Sequence, residues 1–230
     1  MQMSRQSNIK KIASVAMLSA IAFAITFVSK QIPFPPVAGF LKLDFKDVIV
    51  VIGGFIFGPI SAAAIAIVSS FIEFITISPT GIIGLVMNVI SSCTFACVAS
   101  VFYKRNRRLS SAIIGLILGT VSVTVIMLLW NYILTPIYTA ATADAVKAFR
   151  ETVASMLLPV FLPYNLLKYG INAAFSMLLY KPLVVGLRKA GLVQERTDGK
   201  KGKVNWAVIV VAVFLVVTLA VLFLILADSK

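Results

Sequence analysis

The sequence predicts an all-α integral membrane protein, because its composition is far more apolar than that of a soluble domain. Hydrophobic residues make up 60% of the 230 residues and charged residues 13%, and the mean hydropathy is +1.02. Soluble domains are only about 45–50% apolar. Each helical crossing of a bilayer needs roughly 20 apolar residues, so the chain has room for about six or seven crossings. We expect one bundle without a soluble domain.

Apolar runs separated by Pro, Gly and charged residues define the predicted helices. The second run is about 11 residues long, too short to cross unless it is tilted or buried within protein. It ends at Gly58-Pro59, where the next helix begins with Pro at its first position. The fifth helix is expected to stop at Thr135-Pro136, and the more polar stretch 138–152 to form a short surface helix. The predicted helices are 12–28, 48–58, 59–77, 82–103, 111–134, 158–185 and 204–227.

Membrane topology, rather than nucleic acid, accounts for the net charge of +13. With the N-terminus in the cytoplasm, the cytoplasmic side carries 14 Lys and Arg residues against two acids. The outer side carries six basic residues against five acids. This asymmetry follows the positive-inside rule. We therefore expect a multi-pass protein of the cell membrane with a cytoplasmic N-terminus and no nucleic-acid partner.

Polar residues within the predicted helices gather near the outer end. Asn165, Lys168 and Asn172 share one face of the sixth crossing, with Asn172 deepest and expected to matter least to a ligand. Asn131 lies near the outer end of the fifth crossing, and Asn88 in the outer half of the fourth. A lysine at the centre of a membrane helix costs about 2.5–3.5 kcal/mol, so Lys168 is expected to face a cavity or a partner. The alternative is that it snorkels to the outer headgroups.

Asn side chains supply both donors and acceptors, which suits a ligand with a flat, amide-like edge. Glu73, well inside the third crossing, is expected to pair with Lys168 or to lie at the interface, with proton coupling as the alternative. Cys93 and Cys97 are interpreted as buried small residues. The chain has no histidine and no phosphate-binding loop. We therefore expect no metal, no cofactor, no enzymatic activity and no ATP use by this chain alone.

Small residues follow a spacing of four on the first two helices. Ala16, Ala20 and Ala24 share one face of the first helix, and Gly54 and Gly58 one face of the second. Such faces permit close helix packing. The spacing leaves open whether they pack within the chain or against another subunit.

Four segments, taken together, carry a resemblance to a known family. They are 41–48 (LKLDFKDV), 53–59 (GGFIFGP), 131–138 (NYILTPIY) and 162–168 (LPYNLLK). In this order they resemble the riboflavin-specific substrate-binding (S) components of energy-coupling factor (ECF) transporters, over about residues 10–190. The resemblance implies a six-helix substrate-binding domain in 1–190. A charged cytoplasmic linker, 191–203, and an additional C-terminal transmembrane helix, 204–230, would follow it.

The resemblance also implies a function and a set of site residues. Riboflavin would be captured from outside between helices 4, 5 and 6 and the first loop, as a transported ligand rather than a cofactor. Ala16, Ala20 and Ala24 would contact a membrane coupling subunit, which relays work from two ATPase subunits. The residues assigned to the ligand are Leu41, Lys42, Leu43, Asp44, Asn88, Asn131, Tyr164, Asn165 and Lys168.

Three other functions remain open from the sequence. The fold does not fix the ligand, so the chain could be an S component for another vitamin or a precursor. A stand-alone secondary transporter would show repeat-related halves and an ion site at the membrane midplane, and the sequence shows neither. A membrane enzyme would need a nucleophile with its base, or a metal site, which the residues do not offer.

Overall fold

The computed structural model describes residues 2–32, 43–78, 81–139 and 143–191, and helices are the only regular secondary structure in this part of the chain. It confirms the predicted all-α class. The predicted linker and last helix lie beyond residue 191, outside the described residues. The helices are α1 (Gln2–Gln31), α2 (Lys46–Phe57), α3 (Pro59–Thr76), α4 (Gly81–Asn106), α5 (Leu109–Thr139), α6 (Ala143–Met156) and α7 (Leu162–Lys189), with a π-helical turn, Leu157–Phe161, between α6 and α7.

Five segments of the described residues are long and apolar enough to cross a membrane. They are Asn8–Gln31, Pro59–Thr76, Gly81–Asn106, Leu109–Ile137 and Val146–Leu187. Large apolar side chains are exposed on the outside of these segments: Ile60 is 84% exposed and Leu158 71%. Such surfaces are stable when they face lipid rather than water. The chain is therefore a multi-pass membrane protein.

The short helix α2 is enclosed by the rest of the bundle. It packs against α1, α3, α4 and α7, and every residue from Lys46 to Phe55 is buried. At 1.5 Å per residue its 12 residues extend only about 18 Å, less than the hydrocarbon thickness. The sequence allowed tilt or burial within protein, and burial is what the structure shows.

Glycines on α2 permit this close packing. A Cβ on Gly54 would collide with Ser100 on α4 and Ala62 on α3, so the glycine pattern of α2 serves contacts within the chain. Gly58 has a φ of 95° and makes the turn between α2 and α3. Pro59 then opens α3 at the first helical position, as predicted.

The small residues of α1 behave differently. Its buried side is made of Leu18, Ala22 and Thr26, whereas Ala16, Ala20 and Ala24 are exposed. Hydroxyl groups on the buried side donate to the carbonyl four residues earlier, as Thr26 Oγ1 does to Ala22 O at 2.9 Å, so they add little polarity to the interface. The alanine face of α1 therefore has no partner within the described part of the chain.

The helix boundaries near Pro136 and Pro159 differ from the sequence predictions. The predicted end of helix 5 at Pro136 is wrong, because α5 continues through it to Thr139. Pro136 lies in the last turn, so only three helical residues follow the backbone hydrogen bond that its missing N–H cannot make. The predicted surface helix exists as α6, but it joins α7 through the π-helical turn, which contains Pro159. A π turn of this kind is a local irregularity within a continuous helix.

Candidate functional site

Charged and carboxamide side chains of α7 meet the segment that leads into α2 at one end of the bundle. Asn165, Lys168 and Asn172 are 3%, 8% and 1% exposed, and they share one face of α7 because they are spaced by three and four residues. α7 packs against both α2 and α5. The face therefore looks into the bundle, and the snorkelling alternative for Lys168 is wrong.

Lys168 forms an ion pair with Asp44, in the segment that leads into α2. Lys168 Nζ lies 2.7 Å from Asp44 Oδ2, and both side chains are largely buried. Burial alone would raise the pKa of the Asp44 carboxyl, but the charges of Lys168 and Lys46 outweigh it and hold this pKa below its usual value. The Lys168 ammonium also lies 5.5 Å from the centre of the Tyr169 ring, within reach of a cation–π contact.

Residues 43–45 are fixed along α7 by both polar and apolar contacts. Asn172 Nδ2 donates to the Asp44 carbonyl at 3.0 Å, so the deepest carboxamide holds this segment in place. Leu43 is buried in a cluster with Tyr164, Leu167 and Ile171, and the rings of Phe45 and Phe175 meet edge to face at 5.4 Å. The segment 43–45 is thus a rigid element of the site. Leu41 and Lys42 lie outside the described residues.

The other two carboxamides are held by their own helices. Asn131 Nδ2 donates to Met127 O at 2.7 Å, and Thr135 Oγ1 donates to Asn131 Oδ1 at 3.2 Å. Asn165 Nδ2 donates to Phe161 O, in the π turn, at 2.7 Å. These bonds fix the orientation of both buried amides before any ligand arrives. Asn88 lies half-buried on α4, and no hydrogen bond joins its side chain to the site residues that the structure describes.

The predicted pairing of Glu73 with Lys168 is wrong. Glu73 Oε2 accepts from Lys46 Nζ at 3.0 Å, and Glu73 Oε1 pairs with Lys30 Nζ at 2.9 Å. Lys46 Nζ also donates to Ser70 Oγ at 3.2 Å. Glu73 faces α1 and α2 from α3, whereas Lys168 is engaged by Asp44. The carboxylate of Glu73 therefore joins the ends of three helices.

Sequence reasoning missed the burial of Lys46 and Asp47, which it only counted among the charges of the outer side. Lys46 is 1% exposed and Asp47 0%, because the first turn of α2 is as enclosed as the rest of that helix. A signal was available: both residues directly precede an apolar run too short to cross the membrane, which had to be surrounded by protein.

Comparisons with known proteins identify the family of this chain. The family described as "ECF transporter, substrate-specific component" matches residues 10–180. The chain belongs to this family of S components. A solved S component of a bacterial ECF transporter is 30% identical, with a TM-score of 0.62 over 79% of this chain and 99% of that one. The family prediction made from the sequence motifs is thus confirmed.

Curated relatives of this S component carry riboflavin in their names. The riboflavin transporter RibU of Staphylococcus aureus is 31% identical over 82% of this chain and 97% of the relative. RibU of Streptococcus thermophilus is 33% identical over 77% and 84%, and the riboflavin transporter FmnP of Bacillus subtilis is 31% identical over 76% and 92%. In this S component, the ammonium and the oriented amides described above can offer hydrogen bonds to a polar planar ligand.

Proposed function

We propose that this S component binds riboflavin from outside the cell and passes it to a membrane coupling subunit driven by two ATPase subunits. The similarity to riboflavin transporters of three organisms supports the choice of ligand. The observation that carries the proposal is chemical: an ammonium and two oriented carboxamides are buried on α5 and α7, two helices that pack against each other. Family membership favours this function over a stand-alone secondary transporter.

The isoalloxazine ring of riboflavin offers a matching edge. Its carbonyl, imide N–H and carbonyl groups alternate acceptor, donor and acceptor. Lys168 supplies a charged donor, and the amides of Asn131 and Asn165 supply donors and acceptors. Each such bond gains strength in a site that excludes water. Tyr164 and Leu43, which belong to one buried cluster, add apolar surface on which a flat ring can pack.

The orientation proposed here is N-terminus in the cytoplasm. The last turn of α4 and the loop that follows it carry Lys104, Arg105, Arg107 and Arg108, and such clusters remain on the cytoplasmic side. α4 begins at the site end of the bundle and runs towards that loop, so the site then faces outwards. The exposed face of Ala16, Ala20 and Ala24 is a surface on which the coupling subunit can dock closely.

Substitutions in the site test the proposal. Asn131→Ala, Asn165→Ala and Lys168→Ala are each expected to weaken riboflavin binding roughly tenfold or more, because a ligand group left buried and unsatisfied costs about 1–3 kcal/mol. The measurement is quenching of flavin fluorescence on titration of ligand-free protein. Asn106→Ala and Lys189→Ala, at the opposite end of the bundle, are the matched controls. Unchanged affinity in all three site variants, with normal melting curves, would exclude this site.

A further inference from the structure

Asp47, in the first turn of α2, is an acidic residue that takes part in none of the ion pairs described above. Its side chain is 0% exposed, and neither carboxylate oxygen has a hydrogen-bond partner among the described residues. A buried carboxylate without compensation is strongly disfavoured, and such groups commonly become neutral.

The charges around Asp47 do not compensate it. On its own segment, Lys46 is occupied by Glu73 and Ser70. On α7, Lys168 is occupied by Asp44, which is itself a second carboxylate near Asp47. α1 and α3 contribute Lys30 and Glu73, and these pair with each other. All three ammonium groups are therefore committed to other carboxylates.

The remaining neighbours of Asp47 are neutral and polar. α4 contributes Ser92 and Cys93, and α7 contributes Tyr164 and Tyr169. The Ser92 hydroxyl lies beside Asp47 and, like it, is buried without a partner in hydrogen-bond geometry. A serine hydroxyl can accept a hydrogen bond from a protonated carboxyl as well as donate one to a carboxylate, so Ser92 can satisfy the neutral form that burial favours.

We propose that Asp47 is a proton-binding site, which holds a neutral carboxyl against Ser92 between α2 and α4 while Asp44 carries the negative charge that pairs with Lys168. The division of roles has a consequence for the ligand site. Ionised Asp47 would compete with Asp44 for Lys168, which lies within its electrostatic reach. The proton therefore preserves the Asp44–Lys168 pair. This inference concerns the ligand-free protein and does not depend on which ligand the site takes.

Infrared spectroscopy tests the protonation state directly. The ligand-free wild-type protein is expected to show the carbonyl stretch of a protonated carboxylic acid, at higher frequency than the amide I band, and Asp47→Asn to lack it. The wild-type band is also expected to shift after exchange into deuterated water. A wild-type spectrum without this band, or a band that persists unchanged in Asp47→Asn, would overturn the proposal.

Thermal melting gives an independent test with a matched pair of variants. Asn resembles a neutral Asp in shape, so Asp47→Asn is expected to melt no lower than wild type at neutral pH, whereas Asp44→Asn melts well below it. The unfolded chain releases the Asp47 proton at neutral pH, so each further pH unit favours unfolding of the wild type about tenfold until the folded protein loses the proton too. The gap between Asp47→Asn and wild type should then widen towards alkaline pH. Failure of Asp47→Asn to fold, or a loss as large as that of Asp44→Asn, would contradict a neutral Asp47.

Discussion

The ion pair between Asp44 and Lys168 is expected to be a major contribution to the stability of the ligand-free protein. Asp44→Asn leaves Lys168 as an unpaired cation in a site where the two side chains are only 15% and 9% exposed. Breaking a buried pair from one side costs about 3–5 kcal/mol, and the residual exposure places this pair near about 3 kcal/mol. For a chain of this size the melting temperature should fall by about 6–12 °C.

The assay is a double-mutant cycle in detergent, followed by thermal unfolding. Lys168→Met alone leaves the buried Asp44 carboxylate without its counter-ion. Asp44→Asn combined with Lys168→Met removes both charges and should recover a large part of the lost stability. Asp144→Asn, an exposed position on α6, is the control for a surface acid. A double variant that loses the sum of the two single losses would refute the pairing.

The same pair predicts a dependence on acid. The folded-state pKa of Asp44 lies below its ordinary value of 3.8, so the stabilisation is fully present above the unfolded-state pKa and is lost as pH falls through the folded-state pKa. The melting temperatures of wild type and Asp44→Asn should therefore converge in acid. A difference that stays constant into strong acid would show that Asp44 stabilises the protein by some other interaction.

Two further predictions concern orientation and coupling. A cysteine introduced at Asn106 should resist a membrane-impermeant label added outside the cell, whereas one at Asp144 should react; the reverse pattern would invert the proposed topology. Ala16→Trp with Ala20→Trp should abolish uptake and assembly with the coupling subunit while purified protein still binds ligand, because both positions are exposed on α1. An equal loss of ligand binding would show that this face packs inside the bundle.

Most of the helices could be predicted from the sequence because apolar length is a direct requirement of the bilayer. The exceptions arise where tertiary context decides. Pro136 was taken to end a helix, but in the last turn of α5 it is tolerated. The π turn at Leu157–Phe161 joins two helices that the sequence analysis predicted as separate because the first is more polar. Hydropathy does not distinguish a π turn from a loop.

The sequence predicted which residues form the candidate site, but not which acid pairs with which lysine. Asn165 and Lys168 stood out because polar residues in membrane helices need a reason to be there. Which acid would meet Lys168 depended on how α2 and α3 are rotated, and sequence spacing does not give that rotation. Glu73 was therefore predicted to pair with the wrong lysine. Lys46, 1% exposed, was only counted among the outer-side charges.

The absorbance spectrum of the purified wild-type protein, followed by titration of flavin-free protein with riboflavin, tests the central claim most directly. Protein purified from cells supplied with riboflavin should be yellow, with the absorbance bands of flavin. After removal of the flavin, riboflavin fluorescence should be quenched to saturation at one ligand per chain, and Lys168→Ala should weaken this binding. Colourless protein that quenches no riboflavin fluorescence would contradict the assignment of riboflavin.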